Sequence, residues 1–143
     1  MKCRVVIDKE REEEVVIYSH EENGFTDKIK SFVESLSVGF VGYDGAEVKP
    51  LTASEIFCFS IDRGKIYAFT EKRRFEIKQR LYEIEEQLGR DFIKINQSCI
   101  VSVDKIERFK VSIGGALLVI LKNGYKDYIS RRQLKTVKQR VGL

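Results

Sequence analysis

Three uncharged polar residues, Asn96-Gln97-Ser98, interrupt an otherwise apolar pattern. The residues before them, "DFIKI", and after them, "CIVSV", both read as strands. An ordinary turn is one explanation, because Asn and Ser close turns by bonding to their own backbone. The other is a loop that presents amide and hydroxyl groups to a partner, since amides match adenine edges and a serine hydroxyl can reach a phosphate. The residue types alone leave both interpretations open.

A second candidate is the basic segment "YISRRQLKTVKQR". Ser130 and Gln133 have the spacing of a capping box, which predicts a helix that starts at this point. The first turn of a helix attracts anions, yet this one carries Arg131 and Arg132, whose charge opposes the helix dipole. A polyanionic ligand would compensate for that cost, and Arg132 could bind guanine through O6 and N7. The alternative is a solvated basic helix end.

The third candidate is the loop in "SIDRGKIY", which holds Arg63, Gly64 and Lys65 between two predicted strands. A glycine there permits a tight turn or a close approach of the backbone to a partner. A plain charged loop is the competing interpretation.

The charge of the chain is divided unevenly along its length. Residues 1–36 contain six Lys or Arg and nine Asp or Glu, whereas residues 37–143 contain 20 and 13. The last 13 residues contain five basic side chains and no acidic one. This asymmetry favours a polyanionic partner for the later part of the chain.

Other kinds of chemistry have little support in the sequence. His20 is the only histidine, and Cys3, Cys58 and Cys99 are widely spaced, so we expect no metal site and cysteines that pack in the core. No acid, base and nucleophile can be assembled into a catalytic site, so we expect no enzyme activity, no cofactor and no small-molecule substrate. No apolar run reaches the length of a membrane span and no signal peptide is recognisable, which predicts a cytoplasmic protein.

The pattern of elements predicts a mainly β protein with three helices. Two strands, in "CRVVID" and "EEEVVIYS", and an amphipathic helix over 25–36 form a β-β-α segment. Short strands follow, with hairpin signals at Asp44-Gly45 and Asn123-Gly124. Further helices are predicted after Lys78 and after Ser130.

The chain from about Gly39 to Leu143 resembles the LytTR DNA-binding domain of bacterial transcription regulators. The resemblance is carried by "EIFCFSIDRGKIYAFT", "FEIKQRLYEIEEQLGRDFIKINQSCIVSVDKIERF" and "LKNGYKDYISRRQLKTVKQRVGL". It implies an elongated arrangement of antiparallel β-sheets with a flanking helix, which reads DNA from inter-strand loops. We expect two parts: a small N-terminal segment over 1–38, which is a candidate for dimerisation, and a LytTR-like domain over 39–143.

The resemblance implies that three well-separated loops face a DNA duplex. Bases would be read by Arg132, Gln97 and Asn96, and phosphates would be bound by Arg131, Lys135, Lys94 and Arg63. The full set of expected DNA-binding residues is Arg63, Gly64, Lys65, Lys94, Asn96, Gln97, Ser98, Arg131, Arg132 and Lys135. Some relatives place an imidazole or a long polar side chain where this chain has Gly64, so Arg63 or Lys65 would have to take that role.

The resemblance also suggests partners. The short N-terminal segment replaces the receiver domain of many relatives, which is typical of small stand-alone members that are often paired with a membrane protein. We expect a sequence-specific regulator that binds promoter repeats as a homodimer. The alternative is a protein-interaction module that regulates a membrane or signalling partner. Steep salt dependence would favour DNA.

Overall fold

The structure is a computed structural model that describes residues 2–143. It contains three helices: α1 (Gly24–Ser37), α2 (Leu81–Gln87) and α3 (Arg131–Val141). The ten strands are β1 (Gly39–Asp44), β2 (Glu47–Thr52), β3 (Cys58–Asp62), β4 (Lys65–Phe69), β5 (Arg74–Ile77), β6 (Phe92–Asn96), β7 (Cys99–Ser102), β8 (Ile106–Val111), β9 (Leu117–Leu121) and β10 (Lys126–Tyr128). The mainly β architecture is therefore confirmed.

Two antiparallel sheets form the scaffold. Seven strands are arranged in the order β2-β1-β5-β4-β3-β7-β6, and three in the order β10-β9-β8. Side chains alternate between the two faces of each strand, so neighbouring residues of β3 enter different cores. Phe59 packs with Ile84 of α2 on one face, while Cys58 packs with Val119 of β9 and Val137 of α3 on the other. The seven-stranded sheet is the middle layer of the molecule.

Two side chains bind the three-stranded sheet to the larger one. The Tyr125 hydroxyl donates to Oγ of the buried Ser60 over 2.7 Å, and Nδ2 of Asn123 donates to the Thr70 carbonyl over 3.0 Å. Burial raises the pKa of the Tyr125 phenol, so the O–H remains a donor across the ordinary pH range. Polar contacts thus fix the relative position of two layers that are otherwise joined by apolar packing.

The hairpin signals are confirmed at both sites. Asp44 pairs with Glu47 across a two-residue loop, and Gly45 has a positive φ of 59°. The β9–β10 hairpin uses Lys122 and Asn123 as turn residues and places Gly124 at φ 88°, which is the geometry of a three-residue loop.

The N-terminal segment differs in part from the prediction. The helix is present as α1, and the Asn23 side chain caps it by accepting from the N–H groups of Phe25 and Thr26. The prediction of two strands before it is wrong: residues 2–23 contain no strand in the structure. A strand needs a partner for its backbone groups, and neither "CRVVID" nor "EEEVVIYS" pairs with another segment of the described chain.

Candidate nucleic-acid interface

The first predicted loop is a tight turn at the tip of the β3–β4 hairpin. Asp62 pairs with Lys65, so Arg63 and Gly64 are the only two residues of the loop. Both have positive φ, 52° and 78°, which defines a type I′ turn. Gly64 adopts this conformation freely, but Arg63 is the only non-glycine residue with positive φ among those described. The turn therefore holds an arginine at an exposed tip in a conformation that arginine disfavours.

The second loop is the tip of the β6–β7 hairpin, and a β-bulge shapes it. Lys94 pairs with Ile100, but Asn96 pairs with Cys99, so β6 contains one extra residue. A bulge changes the face to which the next side chain points. Asn96 consequently reaches toward the three-stranded sheet, where its Nδ2 donates to the Tyr128 carbonyl over 2.9 Å.

The same Asn96 side chain closes the turn. Its Oδ1 accepts from the backbone N–H of Ser98 over 2.8 Å, while the side chains of Gln97 and Ser98 remain exposed. The polar interruption of the strand is thus both a turn and an outward-facing loop. An amide retains one donor and one acceptor position after these two bonds.

The third segment is the entry into α3. The Ser130 hydroxyl accepts from the Gln133 N–H over 3.4 Å, which confirms Ser130 as the N-cap. The reciprocal half of the capping box is replaced, because the Ser130 N–H donates to the Ile95 carbonyl over 2.9 Å. Arg131, Arg132 and Lys135 are exposed, and no acidic residue lies in the first turn of α3.

These three segments adjoin one another at one end of the molecule. The Ile61 N–H donates to the Ser98 carbonyl over 2.9 Å, which joins the first hairpin to the second. The bonds from Asn96 to Tyr128 and from Ser130 to Ile95 join the second hairpin to the α3 entry. We call this surface, formed by residues 62–65, 96–98 and 128–132, the loop edge. The loops were expected to be well separated, but backbone hydrogen bonds connect them side by side.

The predicted cations fall into two groups. Within the described chain, no acidic side chain forms an ion pair with Arg63, Arg131, Arg132 or Lys135. Lys65 and Lys94 differ, since their ammonium groups lie 4.0 Å from Glu76 and 3.8 Å from Glu85. Lys94 lies on the face of the sheet that α2 covers, set back from the tip of its hairpin. The uncompensated positive charge of the loop edge is therefore concentrated at Arg63 and at the start of α3.

Tyr128 is an additional exposed side chain at this edge, which the sequence analysis did not identify. Its carbonyl anchors Asn96, and its ring is half exposed beside the α3 entry. The alternation in "YKDYIS" predicts that Lys126 and Tyr128 share one strand face, but nothing in the sequence shows that this face ends beside Asn96.

Two of the three cysteines lie in the core as predicted, whereas Cys3, which was also expected to pack there, is exposed in the N-terminal segment. Cys58 and Cys99 are completely buried, and burial together with the neighbouring Cys99 raises the pKa of the Cys58 thiol. A thiol in this state is a poor nucleophile. His20 is exposed in the N-terminal segment. In the described part of the chain, no cluster of three or more His, Cys, Asp or Glu side chains could hold a metal, and no helix is long and apolar enough to cross a membrane.

Comparisons with known proteins show what the chain is similar to. Residues 46–142 match the family model described as the LytTr DNA-binding domain. Two regulators of Staphylococcus aureus, from strains MSSA476 and MW2, are 33% identical over 146 residues, which span all of this chain and 99% of theirs. Both carry the name HTH-type transcriptional regulator.

A solved structure shares the fold. It is the LytTr DNA-binding domain of a Bacillus cereus protein, which superimposes with a TM-score of 0.68 at 22% identity over 73% of this chain and 97% of its own. The "HTH-type" in the relatives' names has no counterpart in the present fold, since strands separate all three helices along residues 2–143.

Proposed function

The chain belongs to the LytTr DNA-binding domain family, and we propose that it binds duplex DNA sequence-specifically through the loop edge. The observation that carries the proposal is the contiguity of the three segments, which brings three unpaired cations and two exposed polar side chains onto one surface. A fourth unpaired cation, Lys135, lies one turn further along α3. Unpaired cations on a rigid surface match a regularly spaced phosphate backbone. The family is a DNA-binding domain and not a class of enzymes.

Each group of residues is suited to a different role. Arg63, Arg131 and Lys135 would bind phosphates, because they are exposed and lack an acidic partner. Arg132 would read a guanine, and Gln97 would read an adenine with its free amide. Ser98 presents a hydroxyl for a phosphate oxygen, and Gly64 lets the first turn approach closely.

Three of the expected contacts carry constraints. Asn96 holds the loop in place and would contact DNA only with the remaining half of its amide. Lys65 and Lys94 would exchange the carboxylates of Glu76 and Glu85 for phosphate oxygens. We therefore assign these lysines to supporting contacts with the backbone of the duplex.

The test is a gel shift against the promoter of the protein's own operon with a salt titration. With about four phosphate contacts, affinity should fall roughly 100-fold between 50 and 200 mM salt. A scrambled duplex of the same length supplies the control for specificity. Equal affinity for both duplexes, or affinity that does not depend on salt, would contradict the proposal.

We further propose that the N-terminal segment, residues 1–38, mediates homodimerisation on repeated promoter sites. The supporting observation is that apolar side chains on both sides of the turn at residues 9–10, among them Val6, Ile7, Val15 and Val16, are exposed in the monomer. A group of large apolar side chains that are exposed in one short segment supports an interaction site there. A second copy would supply the strand partner that the segment lacks in one chain.

Sedimentation analysis tests the dimer. We expect a dimer that dissociates in the Val6→Ser, Val16→Ser double variant, while Val48→Ser, which removes an exposed valine from β2, leaves it intact. A wild-type monomer at high concentration would contradict dimerisation. If the monomer instead sediments with membrane vesicles of the source bacterium, and not with protein-free vesicles of the same lipids, the alternative of a membrane partner gains support.

A further inference from the structure

A fourth segment, which the sequence analysis did not identify as a contact, lies at the same end of the molecule as the loop edge. Tyr128 of β10 pairs with Leu118 of β9, and the Ile129 N–H donates to the Leu117 carbonyl over 2.9 Å. The start of β9 is therefore the neighbour of the α3 entry. Because β8 and β9 are antiparallel, the tip that connects them, residues 112–116, projects from this end.

The tip is held by its own backbone. The Ser112 N–H donates to the Ala116 carbonyl over 2.8 Å, and the Gly115 N–H donates to the Ser112 carbonyl over 3.0 Å. Gly114 and Gly115 both have positive φ, 94° and 86°. The conformation of the tip therefore depends on the glycines and on main-chain bonds, and not on the side chain of Ile113.

Ile113 is fully exposed, the most exposed of the large apolar side chains at this end of the molecule. Val111, two residues earlier, is 68% exposed. Single exposed apolar residues are common on protein surfaces. Ile113 differs from these because it lies in a turn that main-chain bonds hold next to the α3 entry, with Val111 at the end of the preceding strand.

The charge around the tip is compatible with DNA. Arg108 is paired with the adjacent Glu107, 3.6 Å away, whereas Lys110 forms no ion pair within residues 2–143, and residues 108–116 contain no acidic residue. Two exposed side chains are also far too small a surface for a stable protein interface, which buries about 800 Å² on each partner. A groove of a duplex that already lies against the loop edge is a partner of the right chemistry and position.

We propose that Ile113 contacts the 5-methyl group of a thymine in the major groove, as a fourth reading element beside Arg132. The inference rests on the proposed function. An aliphatic side chain has no donor or acceptor, so it can discriminate bases only by apolar contact. The thymine methyl is the apolar group that the major groove displays.

The experiment uses a duplex that the wild-type protein selects from a random library, and a set of variants in which each thymine in turn is replaced by deoxyuridine, which lacks the methyl group. Ile113→Ala should bind the selected duplex about 5- to 20-fold more weakly than the wild type. At one or two positions, deoxyuridine should weaken wild-type binding about 4-fold, the effect of one buried methyl group. The same substitution should leave the affinity of Ile113→Ala unchanged.

Val48→Ala is the matched control, because Val48 is another exposed aliphatic residue. It lies on β2, at the edge of the large sheet opposite to β6 and its DNA-facing loop. Val48→Ala should bind the selected duplex and each deoxyuridine variant with the same affinity as the wild type does. Thermal melting of Ile113→Ala should match the wild type, since the tip is held by main-chain bonds.

Two results would overturn the inference and leave the proposed function standing. One is equal affinity of Ile113→Ala and the wild type for a duplex that Arg132→Ala binds poorly. The other is weaker binding by Ile113→Ala when no deoxyuridine position lowers the affinity of the wild type more than that of the variant. Failure of the wild type to enrich any sequence would instead overturn the proposed function.

Discussion

The side-chain amide of Asn96 donates a hydrogen bond to the main-chain carbonyl of Tyr128 over 2.9 Å. The two residues are 32 positions apart and belong to different sheets. With its other end, the same amide accepts from the Ser98 N–H over 2.8 Å. One asparagine thus fixes both the shape of the second loop and its position relative to α3.

Asn96→Ala should lower the free energy of unfolding by about 1–2 kcal/mol, because two hydrogen bonds are lost. It should also weaken DNA binding, because the loop and the α3 entry lose their connection. The adjacent Gln97→Ala should change the free energy of unfolding by less than about 0.5 kcal/mol, since that side chain is exposed. It should weaken DNA binding without an effect on stability. Urea denaturation and gel shifts on both variants give the comparison, and identical profiles would refute this division of roles.

Arg132→Ala should cost roughly 1–3 kcal/mol of binding on the selected duplex and relax specificity at one base pair. The matched control is Arg140→Ala, which removes another exposed arginine from the last turn of the same helix. Its effect on affinity should be small. Equal weakening by Arg132→Ala on specific and random duplexes would show that Arg132 contacts only phosphate.

Arg63→Asn should make the protein more stable by about 1 kcal/mol while it weakens DNA binding. Asparagine tolerates the left-handed conformation that φ 52° imposes, whereas arginine pays for it. Loss of a phosphate contact should reduce the slope of log affinity against log salt by about one. A variant with unchanged melting and an unchanged salt slope would remove Arg63 from the interface.

The pH dependence of stability should reflect the ion pair between Glu47 and Arg73. The hydrogen bond from the Arg73 guanidinium, 2.7 Å away, and its charge hold the pKa of Glu47 below its ordinary value. A carboxyl with a lowered folded-state pKa stabilises the protein above its unfolded-state pKa, and this contribution is lost as the pH falls through the folded-state value.

Wild type and Glu47→Gln should therefore differ in stability near neutral pH and converge in acid. NMR titration of Glu47 in the wild type and in Arg73→Gln gives the direct measurement. The midpoint should rise in the variant, and an unchanged midpoint would exclude Arg73 as the cause.

Local signals in the sequence were sufficient for most of the elements. Ser130 predicts the start of α3, and Asn123-Gly124 predicts the β9–β10 hairpin, because caps and tight turns are determined by a few neighbouring residues. The polar tripeptide after Ile95 likewise predicts a break between two strands, and the structure places the tip of the β6–β7 hairpin there.

The remaining features depend on distant partners. The strand-like runs around Val6 and Val16 have the right composition, but a strand forms only when it pairs, and neither run pairs with any strand within residues 2–143. The contact from Ser130 to Ile95 and the position of the Ile113 tip depend on the order of strands in two sheets. No local pattern encodes that order.

Main-chain bonds set the spacing between the first hairpin, the second hairpin and α3: Ile61 to Ser98 and Ser130 to Ile95. Substitution of the exposed side chains in these loops would therefore leave the spacing between the loops unchanged. Proteins with this scaffold would cover the same length of DNA duplex and differ only in the base sequence that they prefer. A change of operator preference would therefore require a few substitutions in the loops and no change of the scaffold.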